Sequence, residues 1–299
     1  MIHSVKTNAI PRANSTDNES LVKILTIIVP VHNEEDSLSQ FHKSLRHTLN
    51  ENHLDARILY INDGSTDQSE SVLKEINSDF ISIDRNLGYG GAIKTGILNS
   101  ESEFIAIIDA DSTYRPEDIP RLFLEMKTCD MVVGQRPREK GLRLLAKGFL
   151  QAVASYAVDY PIPDINSGLR IFRRKVAMDL FRILPNGFSL TSTITLGALY
   201  TPYRVRYIPI DYLQRKGKSK IKKVRALFNF TMLILRTMVL FNPLKFFLPA
   251  SAILMLMGLV FLIRDLLDKD IAQGSILLIV NAFILFAIGL LAEAIRCRN

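Results

Sequence analysis

Phe104-Ile-Ala-Ile-Ile-Asp109-Ala-Asp111 is the stretch that decides the fold. Five apolar residues, three of them β-branched, run directly into two carboxylates one residue apart. Short apolar runs of this composition are strands buried on both faces, the kind found in parallel sheets. Their carboxyl ends are where open α/β sheets hold ligands. Two carboxylates so close repel each other unless something positive lies between them. A hard divalent cation that also takes diphosphate oxygens meets that need. An Asp-x-Asp pair alone is also compatible with a solvated turn, and its place at a strand end favours the functional reading.

Working outward, similar runs occur at Ile24–Val29, Ile58–Ile61 and Met131–Val133. Helix-like segments lie between them, near Glu34–Leu49, Asp67–Ile76, Ala92–Leu98 and Glu117–Met126. This alternation predicts an α/β domain with a mostly parallel, Rossmann-like sheet. Two further strands also end in polar clusters. One gives Asn62-Asp63-Gly64-Ser65-Thr66-Asp67, the other Pro30-Val31-His32-Asn33-Glu34. Asp63 is suited to accept hydrogen bonds from a base or ribose. Ser65, Thr66 or Asp67 can cap the following helix. One polar strand end is commonly a cap, whereas three at one sheet edge favour a nucleotide site.

The C-terminal third is different. Phe246–Ile263 and Ile276–Ala292 carry no charge, and each is near the lower length limit for crossing a bilayer. They are apolar all round, which favours a membrane hairpin over a buried helix pair. Their link, Arg264–Ser275, has a net charge of −1, whereas Arg236, Lys245, Arg296 and Arg298 flank the outer ends. The positive-inside rule then predicts two spans, with the α/β domain and both termini in the cytoplasm. Ala226–Phe241 reads as an interfacial helix in preference to a third span. The predicted divisions are a flexible tail over 1–22, the α/β domain over 23–225, the interfacial helix over 226–243 and the hairpin over 244–295. Two cysteines exclude a disulfide scaffold and have no zinc-site spacing. The net charge of +7 is concentrated between Arg204 and Arg225, where nine bases face one acid. That is a juxtamembrane cluster suited to lipid and nucleotide phosphates. No nucleic-acid recognition motif accompanies it.

The three strand-end motifs resemble the successive motifs of family 2 glycosyltransferases of the GT-A fold. Asp164-Ile-Asn-Ser167-Gly168-Leu-Arg170-Ile-Phe172-Arg173 and Arg215-Lys-Gly217-Lys-Ser219-Lys220 are similar to those of the dolichol-phosphate mannosyltransferase and polyprenyl-phosphate glycosyltransferase branch. The resemblance implies transfer of a sugar, with inversion, from a GDP- or UDP-linked donor to a membrane polyprenyl phosphate. It implies donor contacts from Pro30, His32, Glu34, Asp63, Ser65, Lys94, Ala110, Arg215 and Lys220. Asp109 and Asp111 would hold Mg²⁺ or Mn²⁺, and Arg136, Ser167 and Arg170 the acceptor phosphate. Many relatives have Gln where this chain has Thr113, whose hydroxyl is too short to be assumed a metal contact. Homo-oligomers through the hairpins are also plausible on geometric grounds.

Elementary chemistry agrees with those roles. A metal and nearby cations stabilise the charge that develops on a departing nucleoside diphosphate. A lipid monophosphate is already largely ionised at neutral pH, with a second pKa of about 6. It needs no general base, only cations such as arginine forks to hold it beside another anion. Two segments keep two readings each. Leu87-Gly88-Tyr89-Gly90-Gly91 is either a phosphate loop or a close helix packing site, with Lys94 in reach of the donor. Gly187–Thr193 either caps a helix or borders the acceptor groove. His42 and His47 read as a solvated helix face. Two other functions compete: a processive polysaccharide synthase, disfavoured by the lack of Trp, and a non-catalytic scaffold, disfavoured by the intact Asp109 and Asp111.

Overall fold

The computed structural model describes residues 23–137, 152–213, 238–268 and 273–298, with 232, 235 and 236. The chain forms two compact units, one from 1–151 and 160–220, the other from 152–159 and 221–299. The interfacial helix expected over 226–243 falls mostly outside the described residues, although 238–241 are helical.

Among the described residues, the first unit is built on a seven-stranded sheet. Its strands are β1 (Leu25–Val31), β2 (Ala56–Asp63), β3 (Asp79–Ile83), β4 (Phe104–Ile107), β5 (Met131–Gln135), β6 (Arg170–Arg173) and β7 (Val205–Pro209). The order is β3-β2-β1-β4-β6-β5-β7. β1 pairs in parallel with both β2 and β4, so Leu25 sits between Ala56 and Phe104. β6 alone runs against its neighbours, β4 and β5. Because it is reversed, its N-terminal end lies at the edge where β1, β2, β4 and β5 finish. The Ser167–Arg170 turn is thereby delivered to the carboxyl-end edge of the sheet.

The helices are α1 (Glu35–Glu51), α2 (Ser69–Glu75), α3 (Tyr89–Leu98), α4 (Asp118–Glu125), α5 (Arg174–Asp179) and α6 (Leu190–Tyr200). In α1, Leu38, Phe41, Leu45 and Leu49 recur at helical spacing and are buried in one cluster with Leu25, Ile27 and Val29. Complete burial of such a leucine is worth about 2 kcal/mol. α3 begins three residues before the expected Ala92 because glycine lets it approach other backbone. A Cβ on Gly90 would collide with the carbonyl of Pro185 and lie 2.8 Å from that of Gly187. That approach is to the Pro185–Gly187 backbone, while Gly96, further along α3, is the glycine that packs against the sheet at Ile28.

Three strands escaped the sequence reading. β3 and β7 are edge strands with mixed exposure, so their apolar runs are interrupted. β6 begins with Arg170, a residue type normally read as exposed, yet here fully buried. His42 also departs from expectation. It is half-buried, and its Nδ1 lies 2.9 Å from the buried Tyr60 hydroxyl. His47 is exposed beside Glu51, as expected.

Burial, assisted by Arg46, holds the His42 pKa below its ordinary 6.5. An unfolded chain therefore takes up this proton near pH 6.5, while the folded ring waits for lower pH. Stability falls as pH drops below about 6.5 and levels off once the folded ring is protonated. His42→Gln should flatten that part of a urea-midpoint against pH curve. An unchanged slope would exclude His42 as its source.

The second unit contains α7 (Pro243–Leu267) and α8 (Gln273–Arg298). A 25-residue helix is about 37 Å long, enough for a hydrocarbon layer of about 30 Å. Both helices are long and apolar enough to cross a membrane, with mean hydropathies of 2.5 and 2.6. They pack through small residues at seven-residue intervals, Ser251 and Gly258 on α7, and Ser275, Ala282 and Gly289 on α8. Gly258 lies against Ile279 and Gly289 against Phe247. Small residues at these positions let the two helix backbones approach closely. Leu256, Leu277 and Phe283 point outward and are exposed. Asn242 caps α7 by accepting from Lys245 N–H. Lys245 Nζ donates to the carbonyl oxygens of Tyr156 and Ala157 and pairs with Asp159.

Candidate functional site

The first strand-end cluster is cross-linked to the second. Asn33 adopts a positive φ of 57°, which turns its side chain back across the edge. Its Oδ1 accepts from Thr66 N–H at 2.8 Å, and its own N–H donates to Ser65 Oγ at 3.1 Å. Glu34 N–H donates to Ser69 Oγ at 3.0 Å. Asp67 joins both segments, accepting from Ser69 N–H and from Glu35 N–H. Pro30 lies within β1 opposite Ile61, so it stands at this edge. His32 Nδ1 sits 2.9 Å from the Asp63 carbonyl.

Asp63 is buried and has a structural task. Its two carboxylate oxygens accept the N–H groups of Leu87 (2.7 Å) and Gly88 (2.9 Å). Burial raises its pKa, and those two N–H groups and His32 partly offset the rise. The carboxylate thus fixes the loop that starts α3. The next residue, Tyr89, donates its hydroxyl to Asp109 Oδ1 at 2.9 Å. Burial and then the charge of Asp109 raise the Tyr89 phenol well above its ordinary pKa, so it remains a donor.

Beyond β4, Ala110 is buried. Ser112 has a positive φ of 56°, and the chain doubles back there. Thr113 then gives Asp111 Oδ1 two hydrogen bonds, from its N–H at 3.1 Å and its hydroxyl at 2.6 Å. Thr113 therefore orients Asp111 by direct contact. The other side of Asp109 faces Gly168, where a Cβ would stand 2.6 Å from Oδ2. Any side chain at position 168 would displace the carboxylate.

Gly168 N–H donates to Tyr114 OH at 2.7 Å. Burial lifts the Tyr114 pKa to about 12. Tyr114 meets Tyr212 edge to face at 5.1 Å, and the Arg136 guanidinium lies over the Tyr212 ring at 5.4 Å. Arg136 grips Asp164 with both arms of its fork, Nε to Oδ2 at 2.7 Å and Nη2 to Oδ1 at 2.9 Å. The Arg136 and Asn166 N–H groups add to the same carboxylate. Burial opposes the charge on Arg136, but the Asp164 pair outweighs it and the net shift is upward. One continuous set of contacts therefore runs from His32 and Asp63 through Asp109 and Gly168 to Arg136.

Arg170, Ser167 and Lys94 take positions other than those expected. Arg170 was read as an acceptor-phosphate ligand, but its side chain is fully buried. It donates to Thr191 O at 2.6 Å, to Thr195 Oγ1 at 2.9 Å and to Ser167 O. Burial pulls its pKa down. It ties α6 to the Ser167–Gly168 turn and so shapes the site from behind. Ser167 is buried as well, 3.5 Å from Leu169 O. Lys94 was assigned to the donor, but its ammonium is engaged by Leu184 O at 3.2 Å and Asn186 Oδ1 at 3.1 Å. Arg215 and Lys220 lie outside the described residues.

The model for glycosyl transferase family 2 matches residues 26–181, just over half of the chain. The chain belongs to glycosyl transferase family 2. The family 2 match contains the strand-end clusters and the Asp164–Arg170 turn. A second model, the GtrB C-terminal hairpin, matches residues 242–296. An undecaprenyl-phosphate 4-deoxy-4-formamido-L-arabinose transferase of Pseudomonas fluorescens is 27% identical over 69% of this chain and 62% of its own. A protein of the same description from Proteus mirabilis is 29% identical, over 51% of this chain and 49% of its own. The chain thus spans about half to three fifths of the length of these curated relatives.

Glucosyl-3-phosphoglycerate synthase of Mycobacterium tuberculosis, solved with Mn²⁺, UDP and phosphoglyceric acid, superposes with a TM-score of 0.58. The identity is 16%, covering 73% of this chain and 78% of that one. Its phosphoglyceric acid complex gives 0.56 at 17% identity, covering 73% and 79%. At that identity the likeness shows a shared fold. The family 2 membership leaves several local contacts that the motifs alone did not reveal. Tyr89, Tyr114, Asp164 and Tyr212 carry the contact chain through the site. Of these, Asp164 had a visible signal, since it opens the motif ending in Arg173.

The donor set of this family 2 chain suits an oxygen-ligated divalent ion. Asp109 and Asp111 are hard carboxylates at a strand end, and no group of three or more His, Cys, Asp or Glu that could hold a metal occurs among the described residues. Phosphate oxygens and water would have to complete the shell, which is how Mg²⁺ is commonly held.

Proposed function

We propose that the protein transfers a sugar from a nucleotide-sugar donor to a membrane polyprenyl phosphate, with inversion and with Mg²⁺ or Mn²⁺. The observation that carries this reading is the contact chain joining Asp109 to the Arg136 fork, in a chain that also bears an apolar hairpin. One end suits a metal-bound diphosphate and the other a second anion. Holding two anions close requires fixed cations between or beside them, and a guanidinium oriented by Asp164 is such a group.

In this reading His32 and Glu34 line the nucleoside end, Asp63 fixes the loop behind them, and Asp109 and Asp111 hold the ion. The ion would neutralise charge on the leaving diphosphate. Tyr89 and Thr113 keep the two carboxylates in register with it. Arg136 orients the acceptor phosphate, whose oxygen attacks the anomeric carbon as the bond to the diphosphate breaks. The acceptor arrives ionised, so no side chain has to remove a proton. Asp164 receives four N–H groups and acts as an orienter of Arg136. Asp164→Asn should therefore reduce kcat by about tenfold and leave the pH–rate profile unchanged in shape. A loss of the basic limb of that profile would instead make Asp164 a proton acceptor.

The flanking positive charges support placing the family 2 domain on the cytoplasmic side, where nucleotide sugars are soluble reactants. Full-length protein in detergent, given labelled GDP- and UDP-sugars and undecaprenyl phosphate, should make a butanol-extractable glycolipid detected by mass. EDTA should abolish the product, and Mg²⁺ or Mn²⁺ should restore it. Failure with every common donor would overturn the reading.

A further inference from the structure

Phe188 is the most exposed large apolar side chain described in the first unit, at 66%. A lone exposed apolar residue needs no explanation. This one is unusual because its backbone is held so firmly. Gly91 N–H donates to Asn186 O at 3.0 Å, and Lys94 holds Leu184 O and Asn186 Oδ1. Leu190 N–H donates to Gly187 O at 3.2 Å, and Thr191 Oγ1 to Phe188 O at 3.1 Å.

The ring is held too. It stacks on Tyr89 with centroids 5.3 Å apart and planes 18° from parallel. Tyr89 is the residue whose hydroxyl fixes Asp109. On the other side, the start of α6 is bonded to the 166–168 turn. Thr191 O accepts from Arg170, which also donates to Ser167 O, and Ser192 Oγ donates to Asn166 Oδ1. Phe188 is therefore tied both to the carboxylate assigned to the donor's metal and to the 166–168 turn, whose Asn166 N–H donates to the Asp164 carboxylate that orients Arg136, the residue assigned to the acceptor phosphate.

We propose that the Phe188 ring, backed by Tyr89, is the seat for the first isoprene unit of the acceptor. The proposal rests on the function argued above. The first isoprene carbon is bonded to the phosphate oxygen, so it must lie within a few ångströms of whatever holds that phosphate. A phenyl ring has no polar atom to pair with sugar hydroxyls, whereas a hydrocarbon asks for none. The stack on Tyr89 sets the ring's orientation before the lipid arrives, which lowers the entropy lost on binding.

Steady-state kinetics of the full chain in detergent test this, varying undecaprenyl phosphate and nucleotide sugar separately. Phe188→Ala should raise the acceptor KM about tenfold, as expected for losing part of one ring's burial. The nucleotide-sugar KM and the Mn²⁺ requirement should stay unchanged. Phe188→Leu, which keeps an apolar cover, should recover most of the loss. A rise in donor KM or in metal requirement would show that the ring only buttresses Tyr89 and Asp109, and would overturn the proposal. So would an unchanged acceptor KM in Phe188→Ala while the wild type transfers normally. A wild type that transfers to no polyprenyl phosphate would overturn the parent function, and the seat with it.

Discussion

Asp111→Ala is expected to reduce sugar transfer by about a thousandfold, the range seen when one preorganised electrostatic group is removed from a reacting centre. Asp111 contributes one of only two carboxylates at the end of β4, and Thr113 holds it in place through two hydrogen bonds. Its removal halves the protein's share of negative charge there. An ion would then be held by Asp109 and the donor phosphates alone. Stability should change little, because the side chain is partly exposed and lies outside the buried core. Thermal unfolding of the variant should match the wild type while Mn²⁺ binding, followed by electron paramagnetic resonance, weakens. Thr113→Val, which keeps the fold but removes one donor to Asp111, should produce a smaller loss in the same direction. Near-normal turnover in Asp111→Ala would remove this residue from the mechanism.

Arg136→Ala is expected to cost both activity and stability. The guanidinium and Asp164 are largely buried, with side-chain exposures of 24% and 11%. Removing the cation leaves a carboxylate still held by backbone N–H groups but stripped of its charge partner. A destabilisation of about 2 kcal/mol follows, below the value for a fully buried pair because water retains some access. Activity should fall at least 100-fold through loss of anion orientation. Arg136→Lys separates the two effects. It keeps the charge and loses the fork, so stability should return further than activity does. Equal recovery of both would mean that Arg136 serves the fold alone.

The sheet was legible in the sequence wherever apolar runs were uninterrupted. Leu25–Val31, Ala56–Asp63, Phe104–Ile107 and Met131–Gln135 lie in the interior or pair on both edges, so burial on both faces wrote itself into composition. Asp79–Ile83 and Val205–Pro209 form the two edges, where one side can remain polar, and composition says little there. The site was legible in its charges and not in its joints. Asp109, Asp111 and Asp63 announced themselves as carboxylates at strand ends, and Arg136 came from the family resemblance. Tyr89 and Tyr114, which connect them, look in sequence like ordinary aromatic residues. Arg170 misled because the same residue type can bind a phosphate or close an internal joint, and only its complete burial tells the two apart.

The reversal of β6 has a consequence for how the reaction could diverge. Ile107 of β4 pairs with Arg170 of β6, so the residues leading to Asp109 and those following Ser167 belong to one ladder. In the proposed reaction, the spacing between donor and acceptor is then a property of strand register and not of a closing loop. Register moves in whole-residue steps, and each step would turn a buried arginine toward the opposite face. New sugars or lipids are therefore more readily accommodated by changing the linings at either end than by moving the ends apart.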